Sequence, residues 1–380
     1  MQRPTAILTR FELLPVRATS RTVWLFVRLW TDEGISGIGE ASDAFGFAGT
    51  SAEEIERMRV ELGGFFDLIN GGSPLDIDSF RDQGMSRARS GGLVSATAFS
   101  SIEQALWDLS GKLRGVPTYE LLGGGLRKRL DVYANINRAS LPRTPQGFAN
   151  TARRAADEGF QAVKLAPFDG FPTSGSAEEI VAAVNLGIES IAAVRAAVGE
   201  DVAILVDCHS FFDVDLAEDV AKRIEPYEIA WYEEPVAPER VATTKEIADR
   251  VIQPIAGGEL LFGVEGFEPL CKSGAVDVIM PDVKHCGGLQ ELMHIAEMAH
   301  ANRVAVAPHN PSGPVSTAAS VAVSAAIGNF KSLELQWGEV DWRSDVLAPP
   351  EQFIDGTISV PDRPGFGVEL NDRVVAEHRA

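Results

Sequence analysis

Eight ionisable residues stand where short apolar runs of the chain end: Lys164, Asp207, His209, Glu233, Glu259, Asp282, His309 and Glu334. From Asp207 to Glu334 one such site recurs every 23–27 residues. A lone Asp after a strand is ordinarily a helix cap. A whole series at one spacing is different, because that spacing is one strand–helix unit and repeats the residues at one level around one axis. Three carboxylates, Asp207, Glu233 and Glu259, fall on consecutive units. Like charges that converge in a buried mouth need a cation, and oxygen-only donors suit a hard ion such as Mg²⁺. His309, with Asp282 one unit earlier to orient it, has the makings of a general base. In AILVDCH (203–209), strand alternation puts Asp207 and His209 on one face and Cys208 on the other, so the three do not form one soft-metal or nucleophile site. Alternation also separates Glu233 from Glu234, which argues against a glycosidase pair.

The elements that must hold these residues read as eight strands: 131–137, 162–168, 203–209, 229–235, 255–259, 276–283, 304–310 and 331–337. Between them lie segments with helical period, such as SAEEIVAAVNLGIESIAAVRAAVG. Eight strand–helix units in an unbroken series predict an α/β fold of the (β/α)8, TIM-like barrel type over residues 126–337, with the ionisable residues at the C-terminal ends of its strands. Residues 1–125 read as an α+β capping domain. It has β-rich runs either side of a Thr31–Gly34 turn and helices at 51–68 and 95–114. Residues 338–380 are proline-rich, lack the alternation, and are expected to return over the cap. Asn135, Asn137 and Arg138 end strand one and could read distal hydroxyls of a ligand. Loops 14–22 and 41–51 could close the mouth, with Arg17, Phe45 and Phe47 as candidates.

Composition narrows the partners. The 380 residues are 45% hydrophobic and 23% charged, with a net charge of −20. That charge repels nucleic-acid phosphates and anionic lipid, so neither is expected as a partner. Three cysteines without a CxxC argue against disulfides and a structural zinc site. The first 20 residues do not read as a secretory signal, and no run of 18 apolar residues occurs, so a cytoplasmic protein is expected. An acidic chain that binds an anion needs local positive charge, which a divalent ion supplies.

The VK of strand two, DCH, WYEEP, PIAGGE, MPDVKHCGG, APHNPSGP and LELQWGEVDWR, with GIGEAS and WDLSGKLRGVPTYELLGGG earlier in the chain, resemble the enolase superfamily in its mandelate racemase and acid-sugar dehydratase branch. The resemblance runs over nearly the whole chain. It implies Mg²⁺ on Asp207, Glu233 and Glu259, and a base dyad of Asp282 and His309. It also implies that Glu334 and Lys164 contact a substrate carboxylate, and that the chain forms a homo-oligomer, a dimer or octamer. The pattern departs at Ala166, where a second catalytic lysine often stands in a K-x-K motif, and Asp282 stands where the lysine-based members carry their other lysine. Both departures count against lysine-dependent racemisation. The D-x-H of strand three resembles the galactonate-type dehydratases, in which the histidine is the acid for the departing hydroxyl. The resemblance therefore implies a Mg²⁺-dependent dehydratase of a sugar acid that yields a 2-keto-3-deoxy acid. The alternatives are a racemase or epimerase that uses His309 and His209 on opposite faces, and a non-catalytic sugar-binding barrel.

Overall fold

The computed structural model describes residues 6–46 and 50–380, so Phe47 lies outside the described residues. Three antiparallel strands, β1 (Leu8–Arg17), β2 (Val23–Thr31) and β3 (Ser36–Glu40), form the cap sheet in that order. The β2–β3 turn places Gly34 at φ +76°, a left-handed conformation that glycine adopts without strain. Three helices follow: α1 (Ala52–Phe66), α2 (Ile77–Ser90) and α3 (Gly92–Arg114). α1 opens on a capping box of Ser51 and Glu54, and α3 stops at Gly115 in the left-handed conformation. The sequence reading missed α2. Its segment is polar, and its buried face of Ile77, Phe80, Arg81, Gly84 and Ala88 holds only two large apolar side chains. Tertiary packing settles it, with Phe80 stacked on Phe99 of α3 at 4.7 Å between ring centroids.

Strand β3 joins cap to barrel through its alternation. Gly37 and Gly39 face α3 so closely that a Cβ would lie 2.3 Å from the Ala105 carbonyl oxygen and 2.0 Å from that of Ser101. Ile38 belongs to the core shared with the barrel. Glu40 reaches the barrel and is described below.

The barrel has eight parallel strands: β4 (Arg129–Asn135), β5 (Ala162–Leu165), β6 (Ala203–Asp207), β7 (Trp231–Glu233), β8 (Ile255–Gly257), β9 (Val278–Ile279), β10 (Ala305–Val306) and β11 (Leu333–Gln336). Neighbours in sequence are neighbours in the sheet, β11 pairs with β4, and a Val306–Phe330 bridge completes the ring. The ladders are shorter than the apolar runs, because each run continues past its last paired residue into the mouth. Tyr133, Leu205, Trp231, Ala256, Val278, Met280 and Ala307 fill the interior. A larger core lies between strands and outer helices. One outer helix, Ala177–Val198, is long and apolar enough to cross a membrane by length and composition alone, which the sequence reading had not anticipated. Here it packs beside helix Pro145–Asp157 with Val184, Ile188, Ile191 and Val194 inward.

After β11 the chain makes contacts with both units. Trp342 lies between Trp24 of the cap and His378, stacked on the latter at 3.6 Å, and Asp372 pairs with Arg28. The hairpin of Phe353–Ile354 and Thr357–Ser359 instead adds to the N-terminal end of β4, so part of this segment closes the barrel floor.

Replacing Gly39 by Ala puts a methyl group into a backbone contact that cannot yield. Thermal or chemical denaturation is expected to show a loss of about 1–3 kcal/mol or more, with the folded far-UV spectrum retained.

Candidate active site

Asp207 and Glu233 are the last residues of β6 and β7 and sit side by side in the ladder. Glu259 follows β8 after the left-handed Gly258. All three are buried, and one oxygen from each lies within 4.8 Å of the others. Burial, and then the charge of Asp207, pushes the Glu233 carboxyl well above the carboxylate range. Lys164 opposes this from β5. Its Nζ is 2.8 Å from Glu233 Oε1, 2.9 Å from Glu334 Oε1 and 3.5 Å from Asp207 Oδ2. Burial disfavours the ammonium, but Glu233 and Glu334 outweigh it and keep Lys164 charged. The other oxygen of Glu233 accepts from Trp231 Nε1 at 3.0 Å. Three hard oxygen donors that repel one another fit a divalent cation, with Asp207, Glu233 and Glu259 as its ligands.

Two imidazoles flank this triad. At one end, His309 donates from Nδ1 to Asp282 Oδ2 at 2.8 Å, and its Nε2 is 3.1 Å from Glu259 Oε2. Burial works against its protonation, but Glu259, Glu334 and Asp282 push it up to about 9. At the other end, His209 Nε2 is 3.1 Å from Asp207 Oδ2, and Nδ1 is 2.5 Å from Asp169 Oδ1. Asp207, then Asp169, overcome burial and push His209 up to about 12. Both imidazoles therefore act as counter-cations to carboxylates that a metal would bind, and metal binding releases protons.

Strand alternation does not place His209. The ladder ends at Asp207, and His209 and Ser210 take left-handed φ values of +45° and +60°. Cys208 is buried in the core between barrel and helices, as expected. Glu234, just past the end of β7, is likewise left-handed at φ +39°. It accepts from Gly258 N at 2.8 Å and from Ser210 Oγ at 3.2 Å, so its oxygens are engaged by the protein.

The strand-one residues also have protein partners. Asn135 Nδ2 donates to Glu334 Oε1 at 2.7 Å. Asn137 Oδ1 accepts from the Ala166 backbone at 2.6 Å. Arg138 lies 3.3 Å from Asp43 of the cap loop and 3.4 Å from Glu339 after β11, so it ties the mouth loops together. Thr22, in the other cap loop, donates to Glu339. Arg17 is exposed at the end of β1, and its backbone N–H donates to His378 O. Phe45 is half-buried in the cap core under Arg57.

Several residues that sequence reasoning left unassigned hold this arrangement in place. Lys284 is wholly buried and donates to Asp282 Oδ2, the oxygen that also accepts from His309. Its position two residues beyond Asp282 was the available signal. His285 Nδ1 is 2.9 Å from Thr97 Oγ1 of α3. Two cap carboxylates cap barrel helices. Glu40 accepts from Gly313 N (2.7 Å) and Ser316 N (2.8 Å) at the start of helix Pro314–Ser324. Glu103 accepts from Leu289 N (2.7 Å) and Gln290 N (3.0 Å) at the start of helix Gly288–Ala301. These helices follow the His309 and Asp282 loops, so the cap steadies the dyad from behind.

Trp231→Phe leaves Glu233 Oε2 without its donor. Calorimetric titration is expected to show divalent-metal affinity about 10–100-fold weaker, with the fold unchanged. His285 carries a second expectation. Burial, then its neighbours Lys284 and His309, hold it down to about 4, although Asp282 pulls the other way. The unfolded chain thus binds the extra proton between pH 6.5 and 4. The stabilisation is complete above pH 6.5 and is lost as pH falls toward 4, by on the order of 3 kcal/mol from this group. Denaturation across that range is expected to show a flatter pH dependence for His285→Gln than for the native chain.

Residues 9–123 match the mandelate racemase / muconate lactonizing enzyme N-terminal domain, and residues 147–374 match the enolase C-terminal domain-like family. The chain is 33% identical to the D-xylonate dehydratase of Haloferax volcanii over 365 residues, covering 93% of this chain and 85% of that one. It is 32% identical to the D-galactonate dehydratase of Ralstonia pickettii over 368 residues, covering 93% and 90%. Among solved structures, an enolase-superfamily member from Salmonella Typhimurium superposes with a TM-score of 0.86 at 30% identity over 98% of each chain. A mandelate racemase/muconate lactonizing enzyme from Jannaschia sp. CCS1 gives 0.86 at 29% over the same shares. With a capped barrel, an acidic triad and both domain matches in agreement, this chain belongs to the enolase superfamily, in the mandelate racemase / muconate lactonizing enzyme family that includes these sugar-acid dehydratases.

Proposed function

We propose that the protein is a Mg²⁺-dependent dehydratase that removes the proton α to the carboxylate of a sugar acid and eliminates the β-hydroxyl. The observation that carries this reading is the pair of imidazoles at opposite ends of the carboxylate triad, one beside Glu259 and one beside Asp207. Relatives named for dehydration of D-xylonate and D-galactonate support the choice of substrate class.

The α-proton of a carboxylate is a very weak acid, so charge stabilisation dominates the problem. Asp207, Glu233 and Glu259 would hold a divalent metal, which would supply positive charge to the substrate oxygens where negative charge builds. Lys164 adds a second, fixed cation for the substrate carboxylate, and Glu334, 2.9 Å from its Nζ, holds that ammonium in place. His309 takes the α-proton on Nε2 while Asp282 holds its Nδ1–H. The C–H electron pair passes into the carboxylate and then returns to form the Cα–Cβ double bond as the Cβ–O bond breaks. His209 gives its Nε2 proton to the leaving hydroxyl, which departs as water. The enol tautomerises to a 2-keto-3-deoxy acid. Asn135, Asn137 and Arg138 shape the wall beside the distal hydroxyls. The second reading, epimerisation, uses the same two imidazoles as opposed bases.

Incubation with Mg²⁺ in D₂O against a panel of aldonates and aldarates separates the two. Dehydration releases a 2-keto acid that semicarbazide traps, whereas inversion or exchange at the α-carbon without keto product would sink the dehydratase reading. EDTA is expected to abolish turnover, and Mg²⁺ to restore it. His309→Asn is expected to lower kcat about 10²–10⁴-fold at saturating Mg²⁺.

A further inference from the structure

The two imidazoles are built alike. Each presents Nδ1 to an aspartate, Asp282 for His309 and Asp169 for His209, and each presents Nε2 to a triad carboxylate. Each aspartate is in turn held by a basic side chain: Lys284 on Asp282, and Arg143 on Asp169 at 2.7 Å. Asp169 belongs to no motif that the sequence reading singled out.

The local structure explains why His209 needs such a partner. The β6 ladder ends at Asp207 and His209 is left-handed, so no strand pleat fixes the direction of its side chain. The loop after β5 supplies the fixation. Phe168 packs on Phe212 at 5.0 Å, and Phe171 packs on Phe211 and Phe212 at 6.1 and 5.4 Å, which joins the loop after β5 to the loop after β6. Gly187 leaves room for the Phe168 ring, where a Cβ would meet it at 2.1 Å. Arg143 binds the Asn137 and Ala166 carbonyls at 2.9 and 2.7 Å as well as Asp169, so the carboxylate is tied to the ends of β4 and β5. An ionised carboxylate only accepts, so the hydrogen lies on His209 Nδ1 and the tautomer is fixed.

We propose that Asp169 is the positioning residue of His209, holding its ring with Nε2 over the Asp207 end of the metal cradle, with Arg143 as the anchor of Asp169. This deepens the reading of His209 as the proton donor to the leaving hydroxyl and rests on it. Asp169 touches no substrate in this scheme. Its loss misaims the donor while leaving His309 to remove the α-proton.

The test uses the Mg²⁺-loaded full chain in D₂O with the sugar acid it dehydrates. Two quantities are read: keto acid released, and deuterium at the α-carbon of recovered substrate. Asp169→Ala is expected to cut elimination about 10–100-fold while exchange persists, so the exchange-to-elimination ratio rises about tenfold or more. Asp169→Asn, which keeps an acceptor oxygen, recovers part of the loss. A proportional fall in both quantities, or no change, overturns the proposal. His209→Asn serves as the reference. If it eliminates normally, the donor role of His209 fails by itself. If it is impaired while Asp169→Ala is not, only the positioning role fails. Independently of turnover, ¹⁵N NMR of histidine-labelled Mg²⁺-loaded protein, assigned through His209→Asn, is expected to show hydrogen on Nδ1 of His209 that Asp169→Ala releases. A His209 that carries hydrogen only on Nε2 overturns the proposal.

Discussion

Mutual repulsion among Asp207, Glu233 and Glu259 is the constraint around which this molecule is arranged. At 4.8 Å or less and an effective dielectric of about 20, each pair of charges costs about 3 kcal/mol or more. Three ionised pairs would approach the whole stability of an ordinary domain, about 5–15 kcal/mol, and the raised Glu233 carboxyl is the response to that cost. The surrounding residues are placed accordingly. Lys164 inserts an ammonium between two of the carboxylates and Glu334, and imidazolium groups close the two ends. Trp231 holds one oxygen of Glu233 in place. A divalent cation held by the triad would take over part of the charge compensation that these cations now supply.

Much of this was legible in the sequence because a barrel repeats. The recurrence from Asp207 to Glu334 reports the strand–helix period, and the level of the strand ends follows from it. The ligand triad and the Asp282–His309 pair come directly from that level. What the sequence hides is whatever depends on backbone past the last ladder bond. Alternation predicts side-chain direction only while the pleat lasts. His209 and Glu234 are both left-handed just beyond it. His209 faces the site for a different reason than alternation, and the oxygens of Glu234 are taken by Gly258 and Ser210. Asp169 was hidden because its partner His209 comes from the next strand–helix unit, whereas Lys284 lies two residues from the Asp282 it holds. Helix α2 was missed because its stability comes from the face of α3 rather than from its own periodicity.

The interface between cap and barrel is polar at its centre. Glu40 and Glu103 are buried carboxylates whose partners are the exposed N–H ends of two barrel helices. Removing the cap would leave those helix ends bare, so the barrel is not a free-standing unit that a second domain merely covers.

That anchoring lies behind the dyad, on β3 and α3, and Asp43 after β3 adds to it by accepting from Ser312 just before helix Pro314–Ser324. The two helices that follow the Asp282 and His309 loops are therefore set by the cap, and a shift of the cap would move both together.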